Sequence, residues 1–285
     1  MAVYRRTYTA YTGALTPAWS RFLVFFRYSR RSLFRSKFQT GLFVACFFFP
    51  TVCLLSIYLA HNLSFLEKLG AAGQLVAIDN KFFFYFMNVQ GVLAFLVTAF
   101  AGPGLISPDL ANGALPLYFC RPFSRAEYVL GKSSVLAILL SQITWMPGLV
   151  LFAVQGSLAG AGWTWSHLWI AGSLILSSLL WIAILSLLAM ALSAWVKWRI
   201  VAGALLLAFL FFGAGFAQAI NAVLRTNAGH FFNVAYLMGT VWNSLFQVDN
   251  GTEFSVAQAW IALLIYCVVC LGLLMRKVRA YEVIR

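Results

Sequence analysis

The chain has 285 residues, of which 62% are hydrophobic and only 9% are charged, and it carries a formal net charge of +13. An average soluble domain is about half apolar and about one quarter charged, so this composition excludes an ordinary soluble enzyme, a disordered protein and a disulfide-rich secreted domain. The long apolar segments instead predict an all-α integral membrane protein, since about 20 apolar residues are enough for a helix to cross the bilayer.

Six apolar segments predict six transmembrane helices, at residues 39–60, 82–106, 128–155, 167–195, 200–221 and 255–275. Of the 20 lysines and arginines, only Lys68, Lys81 and Arg225 lie on the side opposite to the chain termini. Because cytoplasmic connections are rich in Lys and Arg, both termini are expected in the cytoplasm. The chain would form one transmembrane domain, with an N-terminal part at 1–38, the helices at 39–275 and a tail at 276–285.

The segment before the first predicted span is basic and imperfectly amphipathic, which predicts an interfacial elbow helix within residues 17–38. Arg27, Arg31 and Arg35 form a stripe at four-residue spacing, beside a face of aromatic and aliphatic side chains. We expect these three arginines to contact anionic lipid headgroups.

Residues 229–247, between the fifth and sixth predicted spans, contain no formal charge and are almost long enough to form another span. A seventh span would move the basic residues after 275 to the outside. We therefore interpret this segment as re-entrant or interfacial helices on the outer face. Non-helical backbone at that depth needs protein or water around it, because lipid offers no hydrogen bonds.

The chain offers few side chains for catalysis, metal binding or ion coupling. Its five cysteines and three histidines show no metal-ligand spacing. Gly131-Lys132-Ser133 resembles the end of a phosphate-binding loop, but Ala126 stands where that motif requires its first glycine. We therefore predict no catalytic residue, no metal and no cofactor bound by this chain, and no nucleic acid as a partner.

The predicted spans contain essentially no ionisable side chain, which argues against proton coupling but leaves open sodium sites built from carbonyls and hydroxyls. Gln142, Gln218 and Asn221 are candidates for lining a substrate pathway, although interhelical hydrogen bonding is the commoner role for such residues. The lack of formal charge mildly favours apolar or amphipathic cargo. Pro50 and Pro147 are expected to bend the first and third spans.

The connection between the second and third predicted spans contains several helix-boundary signals. Ser107 and Pro108 fit the N-cap and first position of a short cytoplasmic helix, with Asp109 in its first turn. Ser124 and Glu127 form a capping box that would start the third span. The simplest interpretation is a well-capped connection between two spans.

This connection also resembles the signature of ABC-2 type transporter permeases, in which an acidic residue and a glycine four positions later precede an Arg-Pro-x-Ser-Arg-x-Glu-Tyr-Val-Leu-Gly-Lys sequence. The corresponding residues here are Asp109 and Gly113, then Leu115 and Leu117, and then 121–132 from Arg121-Pro122 to Gly131-Lys132. Many members have Glu in place of Asp109 and Thr in place of Ala114. Members of the family have about the length of this chain. They also have the features predicted here: an elbow helix, six spans, cytoplasmic termini and external helices.

The resemblance implies an exporter that depends on other chains. Residues 107–127 would be a coupling segment that docks, together with the elbow helix, on a separate ATPase subunit, where ATP and Mg²⁺ bind. The residues at this contact would be Asp109, Gly113, Leu115, Arg121, Pro122, Arg125 and Glu127. A second permease chain, identical or from a sister gene, would complete the substrate pathway as a dimer. The implied location is a bacterial inner membrane.

Two other classes of function remain as alternatives. An ion-coupled secondary transporter or channel predicts an intramembrane ion site or inverted repeats, and neither is visible in the sequence. A membrane scaffold without transport activity predicts that the chain has no ATPase partner. The cargo is not indicated by the sequence.

Overall fold

A computed structural model describes residues 34, 36–62, 77–114, 125–248 and 254–277. All regular structure in these residues is helical, and six helices are long and apolar enough to cross a membrane. These six spans, numbered in chain order, are Lys37–His61, Asn80–Ala111, Ala126–Ala159, Leu168–Trp195, Arg199–Leu224 and Val256–Lys277. The prediction of six such helices is confirmed. The predicted elbow helix, with Arg27, Arg31 and Arg35, lies outside the described residues.

The first three spans are each interrupted once, close to a proline. The resulting helices are Lys37–Ala45 and Phe48–His61, Asn80–Ala101 and Pro103–Ala111, and Arg125–Ile143 and Trp145–Ala159. A proline has no N–H for the carbonyl four residues earlier, so Pro50 leaves Cys46 without its helical partner, and Pro147 does the same to Ile143. The two prolines predicted to bend spans 1 and 3 thus each lie just after an interruption of the helix.

One of the freed carbonyls is satisfied by a side chain from span 2. Gln90 is fully buried, and its Nε2 donates to the carbonyl oxygen of Cys46 at 2.9 Å. This amide takes the place of the N–H that Pro50 lacks. The break in span 1 is therefore held against span 2 by a specific hydrogen bond.

Span 4 is an uninterrupted helix of 28 residues at the centre of the bundle, packed against spans 2, 3, 5 and 6. In spans 2 and 4, 67% of the most apolar window is buried, against 22% in spans 1, 5 and 6. Trp181 of span 4 donates its indole N–H to the carbonyl of Gly91 in span 2 at 2.9 Å. A Cβ at Gly91 would collide with the ring of Trp242, so this glycine permits the close packing.

Two shorter helices lie between spans 5 and 6, a 3-10 helix at Ala228–Phe232 and an α-helix at Val234–Leu245. We call residues 226–248 the return segment, because the left-handed Arg225, with φ of 50°, turns the chain back along span 5. The N–H of Gly229 donates to Asn221 Oδ1 at 2.7 Å, and the carbonyl of Phe232 lies against Gly213. The connection between spans 5 and 6 is thus helical over these two stretches.

The short helix that the sequence predicts after the second apolar segment begins earlier than predicted and forms the end of span 2. It starts at Pro103, after a turn at Gly102, and ends at Ala111. The prediction that Ser107 is its N-cap and Pro108 its first residue is therefore wrong. Pro103 suits the first helical position because it has a fixed φ and no N–H to leave unpaired. Ser107 is buried inside the helix instead.

Candidate functional site

Positive charge is concentrated at one end of the bundle, which we call the basic end. It is formed by the starts of spans 1, 3 and 5 and the ends of spans 2, 4 and 6. The described helices and turns there carry Lys37, Arg125, Lys132, Lys197, Arg199, Arg276 and Lys277. The opposite end has only Lys81 and Arg225 within the described ranges. An asymmetry of this kind is typical of membrane proteins whose basic end faces the cytoplasm.

An acidic side chain at the end of span 2 is held by two residues of span 3. Asp109 Oδ2 lies 2.9 Å from Lys132 Nζ and accepts a hydrogen bond of 2.7 Å from the hydroxyl of Tyr128. Tyr128 is fully buried and Lys132 is buried as well. A nearly buried ion pair of this kind costs stability when one partner is removed, because the other charge is left unpaired. This contact fastens the helix 103–111 to span 3.

The same short helix is fastened to span 4 by a pair of serines. Ser193 Oγ accepts from the backbone N–H of Ser107 at 2.9 Å and donates to the carbonyl of Pro103 at 3.1 Å. Ser107 Oγ in turn donates to the carbonyl of Ser193 at 3.1 Å. Since residues 103 and 107 are ordinary helical partners, the Ser193 hydroxyl bridges a donor and an acceptor of one helical turn.

Arg199 connects the start of span 5 to spans 1 and 2. Its Nη2 donates to Gln39 Oε1 at 3.3 Å and to the carbonyl of Phe100 at 3.1 Å. A Cβ at Gly104 would come within 3.2 Å of Arg199 Nε, so the absence of a side chain there makes room for the guanidinium. Spans 1 to 5 are thus joined around the break in span 2.

Gly113 ends the helix 103–111 and is solvent-exposed. Its φ is +62°, its N–H donates to the carbonyl of Leu110 at 3.3 Å, and Ala114 N–H donates to the carbonyl of Asp109 at 2.8 Å. This pair of bonds is a Schellman motif, for which glycine is the favoured residue. Gly113 therefore determines the direction in which the chain leaves span 2.

The other predicted coupling residues are only partly described. The first helix of span 3 begins at Arg125, where the sequence predicts a helix start. The predicted capping residue Ser124 and the side chain of Arg125 lie outside the described part. Glu127 is exposed in the first turn of span 3. Leu115, Arg121 and Pro122 lie outside the described residues.

The three residues proposed to line a pathway have different surroundings. Gln142, in the middle of span 3, lines an open apolar groove that includes neither Gln218 nor Asn221. Gln218 is exposed on span 5. Asn221 holds the return segment through its bond to Gly229. Asn221 therefore holds the return segment against span 5. Gln142 and Gln218 are both exposed, so their side chains are free to face a pathway.

The sequence reasoning missed several residues of the basic end. The sequence analysis names Lys132 only in the rejected phosphate-binding motif and at the end of the signature-like segment, and it does not single out Ser193 or Arg199. One signal was present: Asp109 is an isolated acid in a very charge-poor region, so a buried or interfacial partner could be expected. Nothing in the local sequence identifies which cation it meets.

No group of three or more His, Cys, Asp or Glu side chains in the described ranges is placed to hold a metal ion. The chain matches no protein-family model and no curated protein.

Proposed function

We propose that the chain is the membrane-spanning permease subunit of an ABC-2 type exporter, driven by a separate ATPase subunit. The observation that carries the proposal is the contact of Asp109 with Tyr128 and Lys132. These residues belong to the two halves of the signature-like segment, which are separated in sequence but meet at the basic end. A segment that only connected two spans would not require its two halves to be in contact with each other.

The contacts at the basic end suggest how force from a docked ATPase would reach the membrane. The chain between Gly113 and Arg125 joins two helices that are fastened to each other through Asp109. The helix 103–111 is also fastened to span 4 by Ser193, and the break before it is fastened to span 5 by Arg199. A push on this connection would therefore move the inner halves of several spans together, which rigid-body coupling requires.

The proposal includes an orientation and a second chain. The basic end would face the cytoplasm, so that the ATPase, with its ATP and Mg²⁺, docks there. The return segment would then be re-entrant from the outer face. This is supported by its run back along span 5 to Gly213 and by the packing of Trp242 on Gly91, which lies midway along the helix 80–101. A second copy or a sister chain would complete the pathway.

The proposal can be tested by cross-linking in native membranes. Asn112→Cys, in a variant without native cysteines, places a thiol beside Gly113 at the exposed end of the helix. A bifunctional thiol–amine reagent is expected to join it to a soluble subunit with ATPase activity. Gly162→Cys is the matched control, since it lies at the opposite end in open space.

A second measurement separates docking from coupling. Arg125→Glu and Gly113→Trp are expected to uncouple ATP hydrolysis from transport while the chain still inserts at normal levels. Transport that is unchanged in both variants would contradict the coupling role of this segment. If Asn112→Cys captures no ATPase and the purified protein contains none, the exporter proposal fails, and a secondary transporter or scaffold becomes the better explanation.

A further inference from the structure

An apolar groove with a volume of about 450 Å³ lies between spans 1 and 3. Pro50 and Pro147 both line it, so the groove lies where the two helices are interrupted. The groove extends along both helices, and its wall also includes Leu54, Val150 and Gln142. Its volume falls within the range of small-molecule sites, about 300–1,000 Å³.

Gln142 is exposed and places an amide in the wall of this groove. It lies midway along the 34 residues of span 3, at a depth where the bilayer is hydrocarbon. Within the part of the chain that the structure describes, the Gln142 side chain has no hydrogen-bond partner. An unpaired amide in hydrocarbon is costly, so the groove requires something polar at this point.

The lining also limits the chemistry of whatever fills the groove. None of its residues is charged, and apart from Gln142 the only polar side chain is Thr51, whose hydroxyl already donates to the carbonyl of Phe47 at 2.8 Å. A charged headgroup would be buried without a counter-charge, which is unfavourable. The acyl chain of an ordinary bilayer lipid has no polar group at mid-depth and would leave Gln142 unpaired.

We propose that this groove is a binding site for a neutral amphiphile, with a hydrocarbon body along spans 1 and 3 and a hydroxyl or carbonyl group bonded to Gln142. Span 1 is peripheral in the bundle, so the ligand can enter sideways from the membrane. The site does not rest on the exporter proposal, because it is formed by this chain alone. Binding can therefore be measured without an ATPase.

The probe is a long-chain alcohol with a diazirine in its alkyl chain, applied to the purified chain in nanodiscs of zwitterionic phospholipid. We expect saturable photolabelling of peptides that contain residues 47–54 and 142–151. Excess unlabelled alcohol should displace the probe, whereas an alkane of equal length should not, because it cannot bond to Gln142.

Two variants distinguish the contribution of the Gln142 hydrogen bond from that of the groove volume. Gln142→Leu keeps the volume but removes the hydrogen bond, and it should weaken probe affinity about fivefold, as expected for one hydrogen bond. Val150→Trp fills the groove and should abolish saturable labelling. Gln258→Leu, which removes an exposed amide in span 6 outside the groove, is the matched control and should bind like the wild type.

Two results would overturn the proposal. Labelling that does not saturate, or that is equal in the wild type and Gln142→Leu, would mean that ordinary lipid fills the groove. A disulfide-linked dimer of Gln142→Cys, absent for Gln258→Cys in the same cysteine-free background, would mean that a second copy covers it. Saturable, Gln142-dependent binding in a chain that captures no ATPase would uphold the site while the exporter proposal fails.

Discussion

Replacing Lys132 with Met leaves the carboxylate of Asp109 without the cation that lies 2.9 Å away. The two side chains are only 8% and 16% exposed, so water compensates poorly for the loss. Breaking such a buried pair from one side typically costs about 3–5 kcal/mol of unfolding free energy. The hydrogen bond from Tyr128 to Asp109 remains, so we expect a value near the lower limit, about 3 kcal/mol.

The double variant is expected to be more stable than Lys132→Met alone. Asp109→Asn removes the unpaired charge, so Asp109→Asn combined with Lys132→Met should regain about half of the loss, because an uncharged pair has no ion to desolvate. Reversible unfolding in mixed micelles, followed by circular dichroism, measures all three variants. Lys81→Met, at the exposed opposite end, is the control and should change stability by less than about 0.5 kcal/mol.

Whether the losses of unfolding free energy in the two single variants add up in the double variant shows whether Asp109 and Lys132 interact. Coupled residues deviate from additivity by about 0.5–3 kcal/mol, whereas independent sites add within about 0.5 kcal/mol. Additive losses would mean that Asp109 and Lys132 do not form a stabilising pair. A Lys132→Met variant as stable as the wild type would also refute the expectation that water compensates poorly for the unpaired Asp109 carboxylate.

Three further sets of substitutions test other parts of the fold, two of them by the same unfolding assay and the third by proteolysis. Gly113→Ala should destabilise by about 1 kcal/mol because alanine is disfavoured at positive φ, and Gly113→Asn should cost less. Gln90→Leu should cost about 1–3 kcal/mol because the carbonyl of Cys46 loses its partner, and Pro50→Ala should rescue it by restoring a backbone N–H. Gly229→Ala should detach the return segment, since its Cβ would collide with the backbone of span 5, and proteolysis at 226–248 should become faster.

Each of these predictions has an outcome that contradicts it. Equal losses for Gly113→Ala and Gly113→Asn would indicate that conformation at this residue is not what limits stability. A failure of Pro50→Ala to rescue Gln90→Leu would mean that the amide does not replace the missing N–H. Unchanged proteolysis of Gly229→Ala would contradict the close contact between the return segment and span 5.

Several features of the fold could be predicted because they depend on local chemistry. The six spans follow from hydropathy, since the bilayer requires long apolar helices whatever their neighbours are. The breaks near Pro50 and Pro147 follow from the missing N–H of proline. That Gly113 ends the helix 103–111 as a Schellman glycine became evident only from the backbone conformation.

The error at Ser107 shows where local rules compete. Two prolines, at 103 and 108, each fit a helix start, and the sequence favoured the one preceded by a serine. In the structure Ser107 bonds to Ser193, so the serine is used in packing and the helix starts at Pro103. A contact between residues far apart in sequence thus decided between two acceptable local solutions.

The amino-acid sequence by itself determined that the chain is helical, that six of its helices are long and apolar enough to cross a membrane, and that positive charge collects at one end. Only the tertiary structure decided that Asp109 meets Lys132, that Ser193 bridges a turn of the helix 103–111, and that Gln142 is left unpaired in a groove. The physical reason is that helices such as span 4 are apolar on every side. Their composition specifies insertion into the bilayer but not rotation about the helix axis, which small residues and a few polar contacts determine on packing.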